Sequence, residues 1–257
     1  MSFAAPAEQY DRFMGRYSGP LGVALADAAG VRPGMRVLDV GCGPGALTGE
    51  LVRRVGAERV AAIDPAAQFA AVCAERHPGA DVRVGGAETL PWEDGSFDVV
   101  LACLVLLFMS DPVQGVREMV RVARPGGTVA ACVWDTATGG MAMFRTFWDA
   151  ARTIDPDVEG ERAMPGTAEG DIAARFEAAG LQDVGGDPLV VRVEYAGFDD
   201  FWEPFTYGIG PAGGYLLGLP AAHQEELRAA CRASLPEGPF GLDARAWFAR
   251  GTVPGGG

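Results

Sequence analysis

The stretch Val37-Leu38-Asp39-Val40-Gly41-Cys42-Gly43-Pro44-Gly45-Ala46-Leu47-Thr48 constrains the fold more than any other part of the chain. It opens as a short aliphatic, β-branched run that suits a buried strand. Gly41, Gly43 and Gly45 follow at alternate positions. Leu47, Leu51, Val52 and Val55 then recur at helical spacing, with Gly56 as the stop. A strand, a glycine turn and a helix bring backbone N–H groups close to a ligand, because glycine has no Cβ to hold it off. The string matches Gly-x-Gly-x-x-Ala, a dinucleotide fingerprint. Asp39, however, sets a carboxylate just before the glycines. A pyrophosphate is repelled by an acid there, whereas a cationic, amine-bearing ligand is attracted.

Strand and helix signals alternate on both sides of this stretch. Before it, Leu21, Ala24, Leu25 and Ala28 have helical spacing, and Pro33-Gly34 makes a turn. After it, Arg59 to Ile63 reads as a second strand ending at Asp64. Asp64 lies about twenty residues beyond the glycine turn, where an acid accepts hydrogen bonds from ribose hydroxyls in nucleotide-binding α/β folds. Asp64-Pro65 also has the N-cap and first-turn pattern for a helix from Ala66 to about Arg76. His77 ends that helix, placed to interact with its dipole. Val82 to Val84 is a short third strand, and Phe97 to Cys103 is a continuous apolar run typical of a central parallel strand. It leads into Leu104-Val105-Leu106-Leu107-Phe108-Met109, either a greasy wall at the ligand-binding edge or core packing. Asp111-Pro112 starts a helix with Val113, Val116, Val120 and Ala123 on one face, and Arg124-Pro125-Gly126-Gly127 turns into a strand from Thr128 to Trp134.

Over roughly residues 10–134 these segments resemble the class I S-adenosylmethionine-dependent methyltransferases. The first motif, the loop Gly85-Gly86-Ala87-Glu88-Thr89-Leu90-Pro91-Trp92, and the Arg-Pro-Gly-Gly turn before a strand carry the resemblance. The nearest pattern is the small-molecule (type 11) subgroup that includes quinone-biosynthesis C-methyltransferases. The resemblance implies S-adenosylmethionine as the cofactor. It sets Tyr10 and Arg16 near the methionine moiety, with Arg16 suited to bidentate pairing with the carboxylate. A packing Tyr and a solvated Arg are the alternative. It further implies Asp39, Gly41, Cys42 and Gly43 in the first motif, Asp64 and Pro65 at the ribose, Ala87 and Glu88 at the adenine, and Leu104 in the wall. Position 86 departs from the pattern, being Gly where relatives carry an acid for the adenine amino group. The backbone at Ala87 and the carboxylate of Glu88 have to serve instead.

The fold so implied is α/β: a Rossmann-like, doubly wound seven-stranded sheet with the last strand antiparallel, near Ala244 to Arg250, plus a helical lid. Residues 1–136 are expected to form the cofactor-binding core with an N-terminal helical cover. Residues 137–257 are expected to complete the sheet within one integrated domain, with a lid insertion at about 198–240.

Composition narrows the function. The 257 residues, 49% hydrophobic, suffice for one substantial core. Lys and Arg number 21 against 34 Asp and Glu, a net charge of −13 that repels phosphate backbones, so no nucleic-acid partner is expected. No apolar window has membrane length and Met1 to Arg16 has no signal-peptide pattern, so a cytoplasmic protein with no membrane partner is expected. The five cysteines contain no Cys-x-x-Cys pair and read as reduced, buried thiols. With only His77 and His223 present, no metal site is expected.

The expected reaction is methyl transfer to a small, apolar or aromatic acceptor by in-line displacement. Such a reaction needs orientation more than a base, so no catalytic residue is named. His223, Asp135, Glu203 and Tyr207 are candidate acceptor contacts. Phe108, Met109, Trp134, Trp202, Phe205 and Tyr207 either line the acceptor pocket or pack the lid. Two other classes remain open: a non-methylating protein that keeps the cofactor fold, such as a cyclase or binding partner, and a nicotinamide-dependent oxidoreductase. Asp39 and the Ala87–Pro91 loop argue against the second. Oligomeric state is not legible.

Overall fold

In the computed structural model of the chain, the described residues are 9, 11–163 and 166–255. Tyr10, a candidate cofactor contact, lies outside them. Two units divide the fold. One comprises Ser18–Val133, Gly166–Leu189 and Ala246–Gly257; the other comprises Met1–Tyr17, Trp134–Pro165 and Val190–Arg245. The chain crosses between the two units after Tyr17, Val133, Pro165, Leu189 and Arg245.

The first unit is built on the sheet. Its strands are β1 (Val37–Val40), β2 (Val60–Asp64), β3 (Asp81–Val84), β4 (Phe97–Cys103), β5 (Ala123–Trp134), β6 (Gln182–Gly185) and the end of β8 (Phe240–Thr252). Every residue of β1 and β2 is buried, which is why both are apolar runs interrupted only by the acids Asp39 and Asp64. The strand order is β3-β2-β1-β4-β5-β8-β6, the seven-stranded path expected. β1 pairs in parallel with β2 and β4, with Asp39 opposite Ala62 and Leu101. β8, last in the chain, is antiparallel to β6. An eighth strand, β7 (Leu189–Tyr195), pairs with β8 off this path.

Helices α1 (Arg16–Ala28), α2 (Ala46–Val55), α3 (Ala67–Arg76), α4 (Pro112–Val122) and α6 (Asp171–Ala178) accompany these strands. α2 buries Leu47, Thr48, Leu51 and Val55, and α4 buries Gly115, Val116, Met119 and Val122. Asp111 caps α4 as its sequence predicts, accepting the Gln114 N–H at 3.0 Å. At α3 the sequence places the cap too early. The helix starts at Ala67 with Ala66 as N-cap, and Asp64 serves from outside by accepting the Ala66 N–H at 2.8 Å. β5 starts at Ala123 rather than Thr128, since Ala123 already pairs with Phe97 across a register shift.

The second unit holds α5 (Ala142–Ala151), α7 (Phe198–Trp202), α8 (Gly210–Gly218) and α9 (Ala221–Ala233). The last three lie within residues 198–240. Its core is aromatic. The Phe147 ring stacks on Phe205 at 4.6 Å, meets Trp148 edge-on at 5.1 Å, and stacks on Trp202 at 6.3 Å. Phe147, Phe201 and Phe205 are fully buried and Trp202 is 7% exposed. Trp202 and Phe205 are therefore packing residues of this core, the bland alternative to a pocket wall. Among the described residues no helix is long and apolar enough to cross a membrane.

Candidate cofactor site

Asp39 sits at the C-terminal end of β1 with no exposed surface. The Thr48 hydroxyl, in the first turn of α2, donates to its Oδ2 at 2.6 Å. Oδ1 is buried and has no hydrogen-bond partner among the described residues. Burial pushes the carboxyl up from 3.8 to about 7, the Thr48 bond opposes this, and nearby Asp64 adds to it. Thr48 was missed by sequence reasoning. The available signal was a hydroxyl within the buried stripe of an amphipathic helix.

Backbone hydrogen bonds fix the glycine turn. The Gly41 and Cys42 N–H groups donate to the Ile63 carbonyl at 2.8 and 3.0 Å, and the Gly43 N–H donates to Asp64 Oδ2 at 2.9 Å. Asp64 thus ties the turn to the start of α3, and each of its oxygens keeps one lone pair. It is 7% exposed, and burial raises its carboxyl against the opposing amides of Ala66 and Gly43.

Gly41 and Gly43 have φ of +73° and +52°, and their surroundings differ. A Cβ at Gly41 would lie 2.4 Å from Val105 Cγ1, whereas one at Gly43 would meet no described atom within 4 Å. Gly43 is where the turn faces open space and a ligand can reach the main chain. Val105 fills the Gly41 side because Leu104, just past β4, takes φ +65° and donates its N–H to the Cys132 carbonyl at 2.8 Å. A left-handed, non-glycine residue costs roughly 1–2 kcal/mol, so the packing of this turn must hold it. Cys42 is buried against Ala62 and Cys73.

Beyond β3, Ala87 is 8% exposed. Glu88 Oε1 accepts the Ser110 and Asp111 N–H groups at 2.8 and 3.3 Å. The glycine at position 86 sits close to the end of the Glu88 side chain. A Cβ there would lie 2.9 Å from Glu88 Oε2, so an acid would confront a carboxylate. Arg121 on α4 pins this loop by donating to the Leu90 and Trp92 carbonyls at 2.9 Å each, and Glu118 accepts the Leu90 N–H at 2.9 Å. Neither residue was singled out from the sequence.

Other candidates are engaged elsewhere. Arg16 pairs with Asp200 at 2.9 Å and lies over the Tyr195 ring at 4.5 Å. Asp135 is fully buried and paired with Arg245 at 2.5 Å. Glu203 accepts from Arg12 and from the Tyr207 hydroxyl. His223 and Pro65 are exposed. The structure thus gathers Asp39, Gly41, Cys42, Gly43, Asp64 and Leu104 at the ends of adjacent strands, with Ala87 and Glu88 in the loop after β3.

Residues 38–131 match the family described as a methyltransferase domain. A demethylmenaquinone methyltransferase of Mycolicibacterium vanbaalenii is 36% identical over 177 residues, spanning 63% of this chain and 74% of that protein. The chain belongs to the class I S-adenosylmethionine-dependent methyltransferases. An uncharacterized 37.1 kDa protein in transposon Tn4556 of Streptomyces fradiae is 36% identical over 143 residues, a match spanning 54% of this methyltransferase and only 38% of the relative. A SAM-dependent methyltransferase from Aquifex aeolicus shares the fold, with a TM-score of 0.53 at 19% identity over 94% of this chain and 98% of that one.

The residues present fit the cofactor of this family at two places. One is the open face of the turn at Gly43, backed by the buried, incompletely bonded Asp39. The other is Asp64, with a lone pair left on each oxygen. Asp64→Ala in this methyltransferase is expected to weaken S-adenosylmethionine by roughly 1.5–3 kcal/mol, the scale of a hydrogen bond to a charged group. Its melting temperature should also fall, since the Gly43 and Ala66 amides lose their acceptor. Wild-type affinity in a calorimetric titration of the folded variant would remove Asp64 from the site.

Proposed function

We propose that the protein transfers the methyl group of S-adenosylmethionine to a small acceptor with an apolar or aromatic body. The observation that carries this reading is Asp39: a fully buried carboxyl, one oxygen unfilled, behind a glycine turn open at Gly43. A buried acid is costly unless something cationic uses its charge. Ionised Asp39 gives the turn a negative field that suits a ligand carrying an ammonium and a sulfonium. The lone pair left on each oxygen of Asp64 supports a role as acceptor for a ribose diol, and the space beside Gly43 supports close approach of a ligand to the main chain.

When bound, the cofactor supplies a methyl already activated by its sulfonium. The chain's own part is to orient the two reactants and exclude water. Three observations support an apolar or aromatic acceptor. The net charge of −13 disfavours phosphorylated molecules. Residues 104–109 offer no polar side chain but apolar ones up to Met109. The M. vanbaalenii relative is a demethylmenaquinone methyltransferase.

Calorimetry with S-adenosylhomocysteine, followed by assay of its formation from S-adenosylmethionine with quinol and phenol acceptors, tests both halves. Micromolar binding with turnover on aromatic acceptors is expected. Absence of binding would refute the cofactor reading. Binding with turnover only on charged, non-aromatic acceptors would refute the acceptor class.

A further inference from the structure

His77 is the C-cap of α3, and its side chain is not directed to its own helix end alone. Its Nε2 lies 2.9 Å from the Gly45 carbonyl oxygen. A carbonyl only accepts, so Nε2 carries the proton and donates. The ring also occupies the space that side chains at Gly45 and Gly49 would need. A Cβ at Gly45 would lie 2.7 Å from Nε2, and one at Gly49 would lie 2.8 Å from Cε1. Gly49 lies inside α2, where glycine is otherwise unfavourable by about 1 kcal/mol relative to alanine. The imidazole gives that glycine a reason.

Two neighbours on α3 act on the same turn. Arg76 donates to the Pro44 carbonyl at 3.2 Å, and Cys73 packs with Cys42. The amide side of the turn is held by Ile63 and Asp64, and the carbonyl side by Arg76 and His77.

We propose that His77 is a positioning residue for the cofactor. Wedged against Gly45 and Gly49 and bonded to the Gly45 carbonyl, it holds the turn in the shape that leaves Gly43 open. This rests on the cofactor reading given above. A histidine that served only the α3 dipole would be indifferent to what stands at position 49.

The test is calorimetric titration with S-adenosylhomocysteine, alongside thermal unfolding, of wild type, His77→Ala, His77→Gln, Gly49→Ala and the His77→Ala/Gly49→Ala pair. His77→Ala should weaken binding about tenfold, and His77→Gln, which keeps a donor, should recover most of that. Gly49→Ala should displace the ring and weaken binding comparably. The double variant should bind no worse than His77→Ala and melt higher than it, because alanine then gains helix propensity in freed space.

Wild-type affinity in His77→Ala, with or without a lowered melting temperature, would overturn the positioning role. Losses that simply multiply in the double variant would overturn it too. Should His77→Ala fail to fold, a His77→Gln affinity as poor as that of Gly49→Ala would count against the bond to Gly45. A wild-type protein that binds no S-adenosylhomocysteine would refute the cofactor reading itself. The thermal cycle alone would then decide the clamp, with additive melting shifts against it and coupled shifts for it.

Discussion

Asp39→Asn is expected to flatten the pH dependence of stability and, in the same protein, to weaken S-adenosylmethionine binding. The Asp39 carboxyl is fully buried, and its folded pKa is about 7 against 3.8 for an ordinary aspartate. A group whose folded pKa lies above its unfolded value holds its proton more tightly in the fold. Its stabilising contribution is complete below about pH 4 and is lost as pH rises through about 7. The loss across that window is on the order of 4 kcal/mol. Glu161, buried beside the Trp148 indole and also pushed up to about 7, adds a dependence of the same sign. The comparison therefore has to be made between variant and wild type. Asparagine has no proton to release, so the difference in urea midpoint between pH 5 and pH 8 should shrink markedly. Equal differences in the two proteins would mean that Asp39 does not titrate in this range.

Binding should weaken in the same variant. Ionised Asp39 favours a cationic ligand, whereas an asparagine amide turns an N–H toward the place of the free oxygen. Affinity should fall roughly 10- to 100-fold, the scale of a charge-assisted hydrogen bond. A variant whose pH dependence of stability flattens while its ligand affinity falls identifies Asp39 as a site residue, because both effects then trace to its one buried charge.

The second large effect is at Trp202. Trp202→Ala should cost about 3–5 kcal/mol of stability, as truncation of a large buried aromatic does. Trp202 is stacked on Phe198 at 6.0 Å and on Phe147 at 6.3 Å, and it packs at a tilt on Phe205 at 6.1 Å. A hole there strips contacts from all three rings. Guanidinium unfolding of the variant measures the loss. A change under about 1 kcal/mol, with acceptor turnover reduced, would return Trp202 to a pocket wall and contradict the packing described here.

Much of the sheet was legible because its determinants are local. Val37–Val40, Phe97–Cys103 and the Asp111-Pro112 helix start declare themselves through unbroken apolarity or through a cap and a proline in sequence. The glycine turn declares itself through glycines at alternating positions, and all three take positive φ. β6, by contrast, is Gln182-Asp183-Val184-Gly185, with no apolar alternation to mark it. It is a strand only because β8 pairs with it, with Asp183 at φ +51° and a register shift between the paired ends.

Within the site the division is similar. The sequence alone determined that a carboxylate precedes a glycine turn after a buried strand, and that a second acid ends the next strand. Those choices follow from residue type and spacing. The tertiary structure decided which partner each polar group takes. Arg16 carries a guanidinium that suits any carboxylate, and Asp200, 184 positions away, is the one it meets. Asp64 spends one lone pair of each oxygen on main-chain amides before any ligand is considered. His77 reaches back 32 positions to a carbonyl of the glycine turn. Hydrogen-bonding capacity is written in the residue, but the choice among equivalent long-range partners is made only when packing brings one within reach and excludes the rest.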